Sequence, residues 1–169
     1  TMPMKLIKPV AAEDAQPAAA NTWGVEAVNA HNSPFDGSGI TVAVLDTGID
    51  PDHPAFAGID VVQKNFTTEA EDDLQGHGTH CAGTIFGQDV NGTRIGIAQN
   101  VQRALIGKVL GQGGGSSTSI SQAIQWAINE GAHVISMSLG IDFPGFVELL
   151  VDQHDLPLPA ATSIALEGY

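Results

Sequence analysis

The stretch Gly76-His77-Gly78-Thr79-His80-Cys81-Ala82-Gly83 sets two imidazoles and the chain's one thiol within five residues. Imidazole exchanges protons near neutral pH, and imidazole and thiolate are also ligands for zinc. Two chemistries are therefore open: a proton-carrying base, or a metal cage of His77, His80 and Cys81 with Asp46 or His53 as fourth ligand. The cage meets a geometric obstacle. His77 and Cys81 are four apart while His80 adjoins Cys81, so one helical face cannot present all three. The base needs an orienting acid, and Asp46 offers one at the end of the apolar, β-branched run "ITVAVLD". An Asp so placed accepts the imidazole's Nδ1–H, fixes the tautomer and leaves Nε2 free to take a proton from a nucleophile. Gly76 and Gly78 would let the backbone approach that strand and a substrate.

The elements that must position these groups can be read from the hydrophobic pattern. "ITVAVLD", "RALIGKVL" and "HVISMSLG" are apolar runs of the kind buried on both faces of a sheet, and "GIDVVQKNF" reads as a more exposed strand. "GHGTHCAGTIFG" reads as a helix entered through glycines. A second, amphipathic helix carries Ile120, Ile124, Ala127 and Ile128 on one stripe. Strand and helix alternating in this way predict an α/β fold, a doubly wound parallel sheet with flanking helices. In such sheets chemistry gathers at the carboxyl ends of strands. Asp46, the Gly113-Gly114-Gly115 loop and Ser138-Leu139-Gly140 would therefore converge on one rim.

The 169 residues make a one-domain length. Residues 1–21, rich in Ala and Pro, read as an irregular N-terminal arm. "TWGVEAVNAH" reads as a short helix capped by Thr22, with Trp23, Ala27 and Ala30 on one face. Residues 22–140 hold the α/β domain, and 141–169 read as an insertion or a truncated continuation. The acidic stretch Glu69 to Asp73 reads as a solvated loop. A net charge of −13, with only six Lys and Arg, argues against nucleic acid and anionic membranes as partners. One Cys cannot form an internal disulfide, and "TMPMKLIKPV" lacks the apolar run of a signal peptide, so localisation stays unassigned.

"VAVLDTGIDPDHP", "GHGTHCAGTI" and "ISMSLG", in that order, resemble the subtilisin-like serine proteases (subtilases, peptidase S8 type). The likeness runs through "GIA" and "ALIGKVL" and spans about residues 22 to 140, and the Cys after "GTH" resembles the proteinase K-like branch. The resemblance implies that Asp46 is the orienting acid and His77 the general base. It implies that Ser138, Leu139 and Gly140 wall the pocket for the residue before the scissile bond. Gly113, Gly114 and Gly115 would offer an edge onto which a peptide or protein substrate adds as a strand. His80 and Cys81 would be packing groups, and no metal is assigned to them.

The family's "GTSMAxP" serine and its oxyanion asparagine do not appear. The nearest echo, Ala161-Thr162-Ser163-Ile164-Ala165, lacks the flanking Gly and Pro and comes too soon after Gly140, so it is expected as plain helix. The expectation is a subtilisin-like fold that is incomplete, supplying Asp and His to a serine endopeptidase and inactive alone. Its partner would be a complementary C-terminal fragment carrying the Ser, or a second copy of the chain. The alternative is a noncatalytic peptide-binding or regulatory relative. Calcium, which many subtilases bind, is a candidate cofactor, but Ala55 follows "HP" and the Gly87–Gly96 loop is short. That leaves only acidic loops such as Glu69 to Asp73 to hold it.

Overall fold

The computed structural model describes residues 1–7 and 20–168. In chain order the elements are β1 (Pro3–Leu6), α1 (Trp23–Ala27), β2 (Thr41–Asp46), β3 (Asp60–Asn65), α2 (His77–Phe86), β4 (Arg103–Lys108), β5 (Leu110–Gly111), β6 (Gly114–Ser116), α3 (Ser117–Asn129), β7 (Val134–Ser136), β8 (Leu139–Ile141), α4 (Phe143–His154) and α5 (Leu158–Gly168). A parallel sheet runs in the order β3-β4-β2-β7, and a smaller antiparallel sheet in the order β5-β6-β1-β8.

The parallel sheet is the α/β fold that the sequence pattern predicts, with helices on both faces. Alternate side chains of a strand face opposite sides, and β2 shows the consequence. Val42 and Val44 pack with Ala82 and Phe86 of α2, while Leu45 joins Ile120 and Ala123 of α3 and Ala43 joins Ala127. Because both faces are covered, every residue from Val42 to Asp46 is buried, which is why this segment is an unbroken apolar run rather than an alternating one. Register sets Asp46 beside Lys108 at the carboxyl end.

Three expectations are revised. Pro3–Leu6, inside the segment expected to be an irregular arm, is a strand between β6 and β8; residues 8–19 of that segment lie outside the described residues. Its alternation of Met4 and Leu6 with Lys5 matches a strand with one apolar face, and the Ala and Pro of the adjoining residues hide that signal. Next, α1 buries Val25 and leaves Trp23 80% exposed, and Thr22 makes no side-chain cap. Finally, among the described residues β7 pairs with β2 alone and stands at the sheet edge, leaving Val134 52% exposed. Residues 141–169 form mainly a helical pair, in which Val147 and Leu150 of α4 pack on Ala161 and Ala165 of α5.

Candidate active site

Asp46 and His77 meet. The carboxylate, wholly buried at the end of β2, accepts a hydrogen bond at Oδ1 from His77 Nδ1 at 2.7 Å and another from the Thr47 amide at 2.7 Å. His77 opens α2, so its backbone is anchored by the helix while its ring turns back to the strand. Gly78 makes that approach feasible. A Cβ there would run into the Gly48 carbonyl oxygen, and the Gly78 amide donates to Thr47 Oγ1 at 2.9 Å.

A second carboxylate clamps strand to helix. Asp73 Oδ1 accepts from Thr47 Oγ1 (2.7 Å) and the Gly76 amide (2.9 Å). Its Oδ2 accepts from the Thr79 amide (2.8 Å) and Thr79 Oγ1 (2.6 Å). Buried Lys108, at the end of β4, donates to the Asp72 carbonyl at 2.6 Å and holds the loop in place. Burial works against the charge of Asp73, yet the donors from Thr79, Thr47 and Gly76 outweigh it and hold the acid below its usual range. The stretch expected as a solvated loop thus supplies a structural brace at its last residue. Only its spacing four residues before His77 could have signalled this.

Cys81 Sγ lies 3.9 Å from His77 Nδ1 and half-buried. Burial pushes the thiol above its usual range, and the nearby Asp46 carboxylate adds to this, so Cys81 is a neutral group and a poor nucleophile. Among the described residues, Asp46, His77 and Cys81 are the group of three metal-ligating side chains whose donor atoms lie within 4.8 Å of one another. His80 stands outside it. One oxygen donor, one nitrogen and one sulfur do not suit calcium, which takes six to eight oxygens. The carboxylates of the acidic loop do not build such a cage either: Asp73 is committed to the clamp, and Glu69 accepts the Gln112 amide at 2.9 Å.

The rim residues form a groove, and the chain's own N-terminal residues occupy it. β1 pairs antiparallel with β6 (Pro3 with Ser116, Met4 with Gly115) and with β8 (Met4 with Ile141, Lys5 with Gly140, Leu6 with Leu139). The Ile7 amide donates to the Ser138 carbonyl at 2.9 Å. Gly114, Gly115, Ser138, Leu139 and Gly140 therefore all flank one extended strand. Gly113 sits in the turn before β6 and takes no part in the pairing. At the end of this strand the Ile7 carbonyl oxygen is 2.8 Å from His77 Nε2. A cavity of about 650 Å³ opens there, bordered by Ile7, His77, His80, Cys81 and Ser138.

That contact sets the protonation of the ring. With Nδ1–H given to Asp46, a bond from Nε2 to a carbonyl oxygen requires a second proton. Burial opposes the charged ring, but the Asp46 carboxylate and the Ile7 carbonyl outweigh it and raise His77 above the usual imidazole value. A ring protonated on both nitrogens cannot act as a base. Ser163 lies in the interior of α5, exposed, and does not line the cavity. The sequence pattern also leaves unseen two groove residues, Ser116 and Asp142, neither of which belongs to a motif.

Comparison with known proteins places the chain in a family. The family model described as "Subtilase family" matches residues 37–163. An alkaline protease of Alkalihalobacillus alcalophilus is 43% identical over 72% of this chain and 33% of its own length. Subtilisin Savinase of Lederbergia lenta is 42% identical over 72% of this chain and 46% of its own length. The chain thus spans less than half the length of these relatives. The crystal structure of the psychrophilic subtilisin-like protease Apa1, from the Antarctic psychrotroph Pseudoalteromonas sp. AS-11, superposes with a TM-score of 0.58. It is 30% identical, over 69% of this chain and 29% of that one. With an acid at the end of β2, a histidine at the start of α2 and a family match over residues 37–163, the chain belongs to the subtilase family of proteases.

Proposed function

We propose that the complete protein is a serine endopeptidase, in which Asp46 orients His77 and His77 carries the proton. The nucleophilic serine comes from outside this chain, from a downstream segment or a complementary fragment. The groove between β6 and β8 takes the acyl half of a peptide as an added strand. The observation that supports this reading above the rest is the Ile7 carbonyl on His77 Nε2. It sets an extended main chain beside the one nitrogen a serine hydroxyl would need.

The serine would attack the carbonyl carbon of the bond to be cut while its hydroxyl proton passes to Nε2. The imidazolium, held by Asp46, would then return that proton to the departing amine, leaving an acyl-enzyme for water to hydrolyse. In the occupied groove the ring is already charged, so the N-terminal strand must leave before the base can work. The chain's own strand then acts as an internal blocking peptide. Calcium is not routed into this chemistry.

The test compares the 169-residue chain with the product of the coding region that extends past Tyr169, each treated with a serine-directed fluorophosphonate. Labelling of the longer product alone, abolished by His77→Ala, is expected. Peptide hydrolysis by the 169-residue chain, lost on His77→Ala, would reassign the nucleophile to Ser163 or another internal serine. Absence of labelling in both, with Leu6→Asp present to free the groove, would favour a noncatalytic peptide-binding protein.

A further inference from the structure

The two neighbours of β1 treat its side chains differently. Met4 and Leu6 join the apolar cluster of Leu45, Val109, Leu110 and Ile120, together with Leu139. Lys5, on the opposite face of the strand, reaches out to Asp142, just past the end of β8, with Nζ 2.6 Å from Oδ1. Asp142 also donates its backbone N–H to the Pro3 carbonyl at 3.0 Å, so one residue binds both main chain and side chain of the occupant.

The carboxylate is set up for this contact. It precedes the first residue of α4, where the helix dipole favours a negative charge. Gly145 leaves room beside it: a Cβ there would lie 2.6 Å from Asp142 Oδ2. The Lys5 ammonium holds the acid below its usual range. The surroundings of the groove favour a cation as well, because the chain carries 19 acidic residues against six Lys and Arg.

We infer that Asp142 is a specificity-determining residue of the groove. It selects peptides with Lys or Arg two residues before the one whose carbonyl meets His77, flanked by apolar side chains in the places of Met4 and Leu6. Lys5 is the built-in example. The inference rests on the groove being the peptide site of the proposed endopeptidase. The pair is partly exposed, with side chains 56% and 32% accessible, so a modest and salt-sensitive preference is expected. Replacing the cation by an anion adds repulsion to the lost attraction and brings the discrimination to about tenfold at low salt.

The experiment uses the 169-residue chain carrying Leu6→Asp, which ejects its own strand from the apolar cluster and frees the groove. Two synthetic peptides are titrated in, Thr-Met-Pro-Met-Lys-Leu-Ile and the same peptide with Glu in place of Lys. The Lys peptide is expected to bind about tenfold tighter at low salt. Asp142→Asn should level the two and Asp142→Lys should invert the order, with amide protection in β2 and β4 reporting that each variant is folded. Equal binding of both peptides to the Asp142 chain would overturn the selectivity and leave the groove reading standing. If neither peptide bound, the groove reading would fall, and the selectivity with it. In the unmodified chain, Lys5→Glu should raise amide exchange in residues 4–7, and Asp142→Lys added to it should restore protection.

Discussion

β2 and β4, at the centre of the parallel sheet, are covered on both faces, and nearly all their residues are buried. β6 (Gly-Gly-Ser) and β8 (Leu-Gly-Ile), in the antiparallel sheet, are three residues each, only partly buried, and supply the five positions that register with β1. The first sheet is held by apolar burial and needs its own side chains. The second holds its middle strand by main-chain hydrogen bonds, which any extended peptide can supply, and by seating Met4 and Leu6 against Leu110 and Leu139. On the proposed function, the difference separates two tasks: a rigid base for Asp46 and His77, and an exchangeable place for a strand. β1 fills that place here, but its hydrogen bonds would serve a substrate equally well.

Substitutions can break one half and spare the other. The largest effect is expected at the junction of β2 and α2. Gly78→Ala sets a methyl against the Gly48 carbonyl and within 3.2 Å of the Asp46 Cβ, so neither backbone can yield cheaply. A loss of about 3 kcal/mol in urea unfolding is expected, together with loss of the His77–Asp46 contact. A midpoint unchanged from wild type would mean that the close approach of strand and helix is not rigid.

Gly114→Ala should do the reverse. Gly114 has φ +92°, and a Cβ would lie 2.5 Å from the Met4 carbonyl oxygen. The strain and clash cost about 2 kcal/mol, falling on the small sheet. Amide exchange of residues 4–7 should accelerate sharply while β2 and β4 stay protected. Equal acceleration in both sheets would show that they form one cooperative unit.

Next in size is a pH effect on the strand alone. His77 is raised above its ordinary value of 6.5 by Asp46 and Ile7, against the opposing effect of burial. The contribution of the charged ring to docking β1 is therefore complete below about pH 6.5 and fades as pH climbs through the raised value. The Ile7 amide resonance should move toward its free position across that alkaline range, and His77→Gln should remove the transition. Stronger docking at high pH would contradict the protonation assigned to the ring.

The smallest effect is expected from Ser116→Ala. Ser116 Oγ accepts the Ser119 amide at 3.1 Å and caps α3, while its backbone pairs with Pro3. Losing the cap should lower global stability by about 1 kcal/mol and leave the β1 register unchanged in amide exchange.

The apolar runs announced the parallel sheet because covering both faces demands continuous hydrophobicity, and Asp46 and His77 were legible as the polar exceptions at the ends of such elements. The groove was only half legible. Gly114, Gly115 and Ser138 to Gly140 were placed by resemblance, and the structure brings them around a strand. That strand's identity could not be extracted from composition. Met4, Lys5 and Leu6 alternate over too few residues to stand out beside a stretch of Ala and Pro. Asp73 was hidden in an acidic run, since a carboxylate that clamps several donors and one that faces water look alike in one dimension.

The amino-acid order alone therefore determined which segments are buried, which residue types stand at their ends, and the acid–base chemistry those types permit. Which segment lies in the groove, which nitrogen of His77 meets which oxygen, and which acid faces Lys5 were decided only by the fold. Hydrophobic periodicity is a local property that each segment carries by itself. Pairing across more than 100 residues, as between Met4 and Gly115 or Lys5 and Asp142, depends on where the packed core leaves an unpaired edge and a carboxylate beside it.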